Sequence, residues 1–361
     1  MPQPWSDESV VPAADIAACR AMLRTGSRTF FAASLLLPRA VREPASALYA
    51  FCRLADDLID LEGGRGDAIG ALNDRLDRAY AGCPLPFPAD RALAGVVAQF
   101  GIPRTLPAAL IEGFEWDAQG RRYDDLASLH AYAARVAGSV GAMMAMLMGV
   151  RAPDAVARAC HLCVAMQRSN IARDVGEDAR AGRIYLPCDW LREAGIDPDA
   201  WLARPAFTDA LGTVVARLLH AADDAYARVE AGIARLPAAC RPGIRAAQML
   251  YTEIGREVAR RGFDSVSARA VVSGRRKATL LLRAGVAAVP RVRERSSAAV
   301  AECNYLVEAV AAAPPRLAVR LPQRAAPRRN LGERVDWVID LFERLERRER
   351  AQRSAAGFRP G

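Results

Sequence analysis

Lysine is all but missing from this chain: Lys277 is the single lysine among 361 residues, and arginine carries the rest of the basic charge. Histidine is nearly as scarce, limited to His130, His161 and His220, and none follows a glutamate at Glu-x-x-His spacing. That excludes a carboxylate-bridged di-iron bundle. Eight cysteines are scattered without a disulfide framework, as expected of a reduced, cytoplasmic chain. Cys160 and Cys163 form the one C-x-x-C, inside an apolar helical run with no second pair to complete a zinc site, and read as core thiols. MPQPWSDESV has neither the basic start nor the apolar core of a signal peptide. The longest apolar stretch, VAGSVGAMMAMLMGV (136–150), falls short of the ~20 residues that span a bilayer. The net charge is +9, yet no basic stripe interleaved with aromatics and no zinc-finger or basic-zipper pattern is present, so no nucleic-acid partner is expected.

What the chain has in quantity is alanine, leucine and arginine, in runs of helical length separated by Pro or Gly and with little β-branched alternation. The fold class is therefore all-α. Breaks are expected near Pro38, Gly63 to Gly66, Pro84 to Pro88, Pro103, Pro153, Pro187, Pro198 and Pro237. The boundaries drawn are a catalytic domain over 15–290 and a basic C-terminal extension over 291–361. Within the extension, PPRLAVRLPQRAAPRRN (314–330) reads as a Pro/Arg-rich linker. Leu331, Val335, Val338, Phe342 and Leu345 then mark a narrow apolar seam on a charged, amphipathic helix.

The informative pattern is acid set into apolar helix. In AFCRLADDLID (50–60), treated as part of a helix over 45–61, Tyr49, Arg53, Asp56 and Asp60 share one face. Their neighbours Leu48, Phe51, Leu54, Leu58 and Ile59 are apolar on several sides, so the polar stripe should face an internal cavity. In AMQRSNIARDVGEDARAGRIYLP (165–187), Gln167, Asn170, Asp174 and Asp178 again line one face, with Arg173, Arg180 and Arg183 nearby. Both segments carry D-x-x-x-D. Carboxylates four residues apart on a helix repel, and burying them unpaired costs several kcal/mol or forces protonation, so a cation is called for. Oxygen donors without His or Cys suit Mg²⁺, which prefers phosphate oxygens as co-ligands. Two facing acidic helices with arginines beside them would hold Mg²⁺ ions and grip a diphosphate.

SRTFFAASLLLP (27–38), ALYAFCRLADDLID (47–60), YAARVAGSVG (132–141), NIARDVGEDARAGRIYLP (170–187) and YTEIGREVARRGF (251–263) together resemble the head-to-head isoprenoid synthases. This is the squalene and phytoene synthase family, and within it the chain is similar to the bacterial phytoene synthases from about Gly26 to Lys277. The resemblance implies an all-α prenyl-synthase fold around a deep central cavity. It implies condensation of two geranylgeranyl diphosphates to phytoene through a cyclopropylcarbinyl diphosphate, dependent on Mg²⁺ or on Mn²⁺ in its place and without NADPH. It assigns metal binding to Asp56, Asp60, Asn170, Asp174 and Asp178, and diphosphate contacts to Ser27, Arg28, Arg53, Arg173 and Arg183. Phe30 and Gln167 join the substrate-binding set, and Tyr132 and Tyr251 the reaction centre. Arg168, Ser169, Ala133 and Ala134 depart from the family's usual residues.

A lipid product implies peripheral membrane contact and hand-over to a phytoene desaturase. Two rivals stand beside this reading. One is a squalene or presqualene diphosphate synthase acting on farnesyl diphosphate; the other is a non-catalytic helical scaffold, although such relatives tend to lose the aspartates kept here.

Overall fold

The computed structural model describes residues 11–62, 66–286 and 300–314. Among them every regular element is helical, and no helix is long and apolar enough to cross a membrane.

Chain order is α1 (Ala13–Gly26), α2 (Arg28–Ser34), α3 (Arg39–Glu62), α4 (Gly66–Tyr80), α5 (Pro88–Phe100), α6 (Thr105–Ala118) and α7 (Leu126–Ala133). A π-helical turn, Ala134–Gly138, leads from α7 straight into α8 (Ser139–Leu147). Next come α9 (Pro153–Arg180), α10 (Cys188–Glu193), α11 (Pro198–Ala203), α12 (Asp209–Ile233), α13 (Arg241–Arg260) and α14 (Gly274–Val286). A 3₁₀ turn, Ala301–Cys303, and α15 (Asn304–Ala312) complete the described chain.

The expected breaks become helix ends for local reasons. Ser27 caps α2, its hydroxyl accepting from the Phe30 N–H at 3.3 Å. Pro88 and Pro153 open α5 and α9, where a missing N–H costs nothing. Asp125 and Ser128 cap α7 reciprocally. The acidic helix expected over 45–61 begins earlier, at Arg39, and runs through Pro44.

Helix α9 is the axis of the fold, packing against α8, α12, α13, α15 and the π turn. Its approach to α8 is close enough that a Cβ at Gly141 would stand 2.5 Å from the Ala159 carbonyl oxygen. Three apolar clusters surround it: one centred on α1, α3 to α6 and α8, one on α10 to α12 and the end of α9, and one on α2, α13 and α14. Buried Glu253 on α13 ties α14 in place, accepting from Arg260 and Arg276 at 2.9 Å each. Burial alone would raise its pKa, but those guanidiniums hold it below the usual range.

Residues 300–312 fall in the span assigned to the extension, yet Cys303, Leu306 and Val310 are buried in the first apolar cluster. The amphipathic helix expected over 331–345 lies outside the described residues.

Candidate active site

Helices α3 and α9 each pack on α8, and α6 packs on both α3 and α8. The charge of Asp56 on α3 reaches Asp117 on α6, and that of Asp117 reaches Asp178 on α9. On α3, the side chains of Asp56 and Asp57 are nearly half exposed, and Arg53 bonds both, reaching Asp56 Oδ2 at 3.1 Å. Phe30 of α2 stacks on Tyr49 with ring centroids 6.4 Å apart. The side chains of Asp60 and Arg28 lie outside the described residues.

The stripe on α9 is more enclosed. Asp174 retains 16% side-chain exposure and receives two arginines. Arg173 grips both its oxygens at 2.7 and 2.5 Å. Arg269, from the loop between α13 and α14, does the same at 2.8 and 3.3 Å. One turn earlier, Asn170 donates to Gln167 Oε1 at 3.4 Å and also bonds the hydroxyl of Tyr251 on α13, whose pKa is raised, chiefly by burial. One turn later, Asp178 is pushed up to about 7 by burial first and then by Asp174, with Asp117 and Glu177 adding and Arg183 opposing.

Asp117 joins this cluster from the last turn of α6, a position that the stripe pattern did not reveal. Its carboxylate accepts from the Tyr132 hydroxyl at 2.9 Å and the Tyr185 hydroxyl at 2.6 Å. Burial pushes its pKa up to about 6 against those two donors and Arg183, and the charge of Asp56 adds to the rise. Behind it, Tyr132 lies 5.1 Å from both Tyr123 and Tyr185, ring to ring, and Trp116 extends the pile. A cleft floored by Ile171, Val175, Ile184, Leu186 and Trp201 opens beside Asp178, Arg183 and Tyr185.

The structure thus gathers Asp56, Asp174, Asp178, Asn170, Gln167, Arg173, Arg183, Tyr132 and Tyr251 around one polar seam. It adds Asp117, Tyr185 and Arg269. Ser27 and Phe30 take local contacts at α2. Arg168 and Ser169 turn to their neighbours: Arg168 donates to the Ala221 carbonyl at 2.7 Å and meets His130, and Ser169 shares a hydrogen bond with Tyr226 at 2.9 Å.

The donors fit divalent cations shared with a ligand better than a closed protein cage. Among the described residues no three acidic, His or Cys side chains converge on one point. Mg²⁺ binds through one or two carboxylates, with water and phosphate oxygens completing its shell. Carboxylates whose pKa values are lifted by burial and by one another are the groups that a cation would keep ionised.

Comparison with known proteins points to one family. The family described as squalene/phytoene synthase matches residues 23–277. A phytoene synthase of Cereibacter sphaeroides is 48% identical over 95% of this chain and 98% of its own. One of Rhodobacter capsulatus is 51% identical over 84% and 91%. Among solved structures, a dehydrosqualene synthase superposes with a TM-score of 0.68 at 30% identity, covering 75% of this chain and 95% of that one. The chain belongs to the squalene/phytoene synthase family.

Proposed function

We propose that this protein is a phytoene synthase, a prenyltransferase that joins two geranylgeranyl diphosphates head to head in the committed step of carotenoid formation. The observation that carries the reading is a single polar seam, with carboxylates from α3, α6 and α9, set between apolar clusters in a chain whose curated relatives bear that name. Asp56, Asp60, Asn170, Asp174 and Asp178 would hold Mg²⁺, or Mn²⁺ in its place. When bound, the metal supplies charge neutralisation to the diphosphate leaving group.

The residues of the chain do the rest. Arg53, Arg173 and Arg183, with Arg28 and Ser27 at the start of α2, bind diphosphate oxygens by charge-assisted hydrogen bonds. The apolar walls keep water from the allylic cation. One diphosphate leaves to give that cation, the second substrate's double bond attacks it, and proton loss gives the cyclopropylcarbinyl diphosphate. Loss of the second diphosphate, rearrangement and a further proton loss give phytoene. The Tyr132 and Tyr251 rings offer negative faces to positive charge, and Gln167 and Phe30 border the chains. The departing diphosphate or a tyrosine takes the proton. A C40 hydrocarbon product leaves for a membrane, so peripheral contact and transfer to a phytoene desaturase belong to the same proposal.

The test is incubation of the purified protein with Mg²⁺ and either geranylgeranyl or farnesyl diphosphate, without NADPH, followed by product identification. Phytoene from the longer substrate is expected. Presqualene diphosphate formed only from the shorter substrate would overturn the choice of substrate, and no product from either would overturn the enzyme.

A further inference from the structure

The π turn Ala134–Gly138 lies immediately after Tyr132 and Ala133, in the helix that carries Tyr132 to Asp117. A π turn inserts one residue beyond the α-helical repeat, which rotates everything before it by ~100° relative to everything after it. This rotation allows one continuous helix to face Asp117 at Tyr132 and to face other partners at Gly138 and Gly141. The wide turn has poorer hydrogen-bond geometry than α-helix and persists where packing holds it.

Helix α9 packs along this turn, and two further elements hold its flanks. On one side stands α6. A Cβ at Gly113 would lie 2.4 Å from Val136 Cγ1, and Glu112 accepts from Arg135 at 2.8 Å. The Arg135 guanidinium also covers the Trp116 ring at 4.1 Å. On the other side stands the segment 300–312, beyond the span that the family description covers. The Val300 N–H donates to His161 Nε2 at 2.6 Å, and Cys303 hydrogen-bonds the Cys160 thiol on α9. A Cβ at Gly138 would stand 3.3 Å from Leu306 Cδ1 and 3.4 Å from Cys303 Sγ, so these side chains lie directly on the turn's bare backbone. Tyr305 sits 5.7 Å under Arg135.

We propose that residues 300–312 are a strap, and that Leu306 and Cys303 are positioning residues: they hold the π turn in register and thereby fix Tyr132 against Asp117. The strap's effect on turnover rests on the function proposed above; its effect on Tyr132 does not. Loosening it lets the turn relax toward α-helix, which swings the Tyr132 hydroxyl away from Asp117. Displacements of this kind cost activity out of proportion to stability.

The test is a double-mutant cycle in the full-length protein, using Leu306→Ala and Tyr132→Phe, with kcat and KM measured well below the melting temperature. Leu306→Ala is expected to lower kcat about tenfold with KM within about twofold. In the Tyr132→Phe background the same change should lower kcat less than about twofold, and Leu306→Met, which conserves volume, should restore the wild-type rate. Equal losses in both backgrounds, or no loss in the single variant, would overturn the strap as a positioning device. If Leu306→Ala does not fold, Leu306→Val carries the same cycle. A second readout is independent of catalysis: in ¹³C-tyrosine-labelled protein the Tyr132 ring resonance should shift in Leu306→Ala and not in Leu306→Met. Should the wild type form no phytoene, the functional reading fails, and the resonance still decides the strap. An unmoved resonance in Leu306→Ala overturns it.

Discussion

Helices α3 and α9 carry the same D-x-x-x-D spacing, yet their acids live in different surroundings. On α3, Asp56 and Asp57 are nearly half exposed and share the local guanidinium of Arg53. On α9, Asp174 is largely enclosed between Arg173 and Arg269, and Asp178 is lifted to about 7 by burial and by Asp174. Spacing along a helix sets which carboxylates share a face; what covers that face sets how much charge it bears without a cation. By this comparison α9 would be the enclosed wall of the proposed site and α3 the side more open to solvent. Asp117 stands between them, sensing the charges of Asp56 and Arg183 and reaching that of Asp178.

The contrast is sharpest if one acid from each helix is neutralised. Asp178→Asn should lower kcat/KM about a thousandfold, as expected for removing an electrostatic contact in an enclosed site. Asp57→Asn, which loses only a half-exposed ion pair, should stay within about tenfold in activity and ~1 kcal/mol in stability. Steady-state kinetics and denaturant melts check both, and a comparable activity loss in Asp57→Asn would place Asp57 in the site beside Asp56.

The enclosure of α9 depends on the loop after α13. The Gly176 N–H donates to the Ser265 carbonyl at 3.1 Å, and a Cβ at Gly176 would meet the Val266 carbonyl oxygen at 2.4 Å. Gly176→Ala should push that loop, and Arg269 with it, off Asp174. A loss of about a hundredfold in kcat/KM with unchanged helical circular dichroism is the expected result. Full activity would show that the loop has no part in the site.

The smallest effect expected is on stability. The folded pKa of Asp178 is raised above its unfolded value, so the native state binds the extra proton and burial costs more as pH rises toward about 7. His161 works in the opposite sense. Its pKa falls to about 4, chiefly through burial and then Arg168, so it favours folding increasingly as pH rises from about 4 to its ordinary 6.5. Comparing Asp178→Asn with wild type in the absence of divalent cations cancels the histidine contribution. The variant should match wild type only below about pH 4, and its stability advantage should grow from there and level off above about pH 7. A constant difference across that range would contradict the buried state assigned to Asp178.

The two acidic helices were legible because their signal is periodic: acids recur every three or four residues on a helix otherwise apolar. Asp117 had no such signal. It stands with Glu112 and Glu115 on α6 as an ordinary acidic residue would, and only folding brings Tyr185, 68 positions away, to its carboxylate. Arg269 was hidden for the same reason, as one arginine among many in a chain that uses little else for positive charge. Tyr185 lay inside the RIYLP motif, but the motif carried no role for it. The 300–312 segment reads as part of a basic extension because its composition changes at Pro290. Three apolar residues, Cys303, Leu306 and Val310, suffice to seat it in the core.

On the function proposed, carboxylates from α3 and α9 act as one diphosphate site rather than as two separate charged faces. Calorimetric titration with a non-hydrolysable geranylgeranyl thiodiphosphate, with and without Mg²⁺, tests it most directly. Mg²⁺-dependent binding is expected, lost in both Asp56→Ala and Asp174→Ala while each variant remains folded. Wild-type, Mg²⁺-dependent binding by either variant would contradict it.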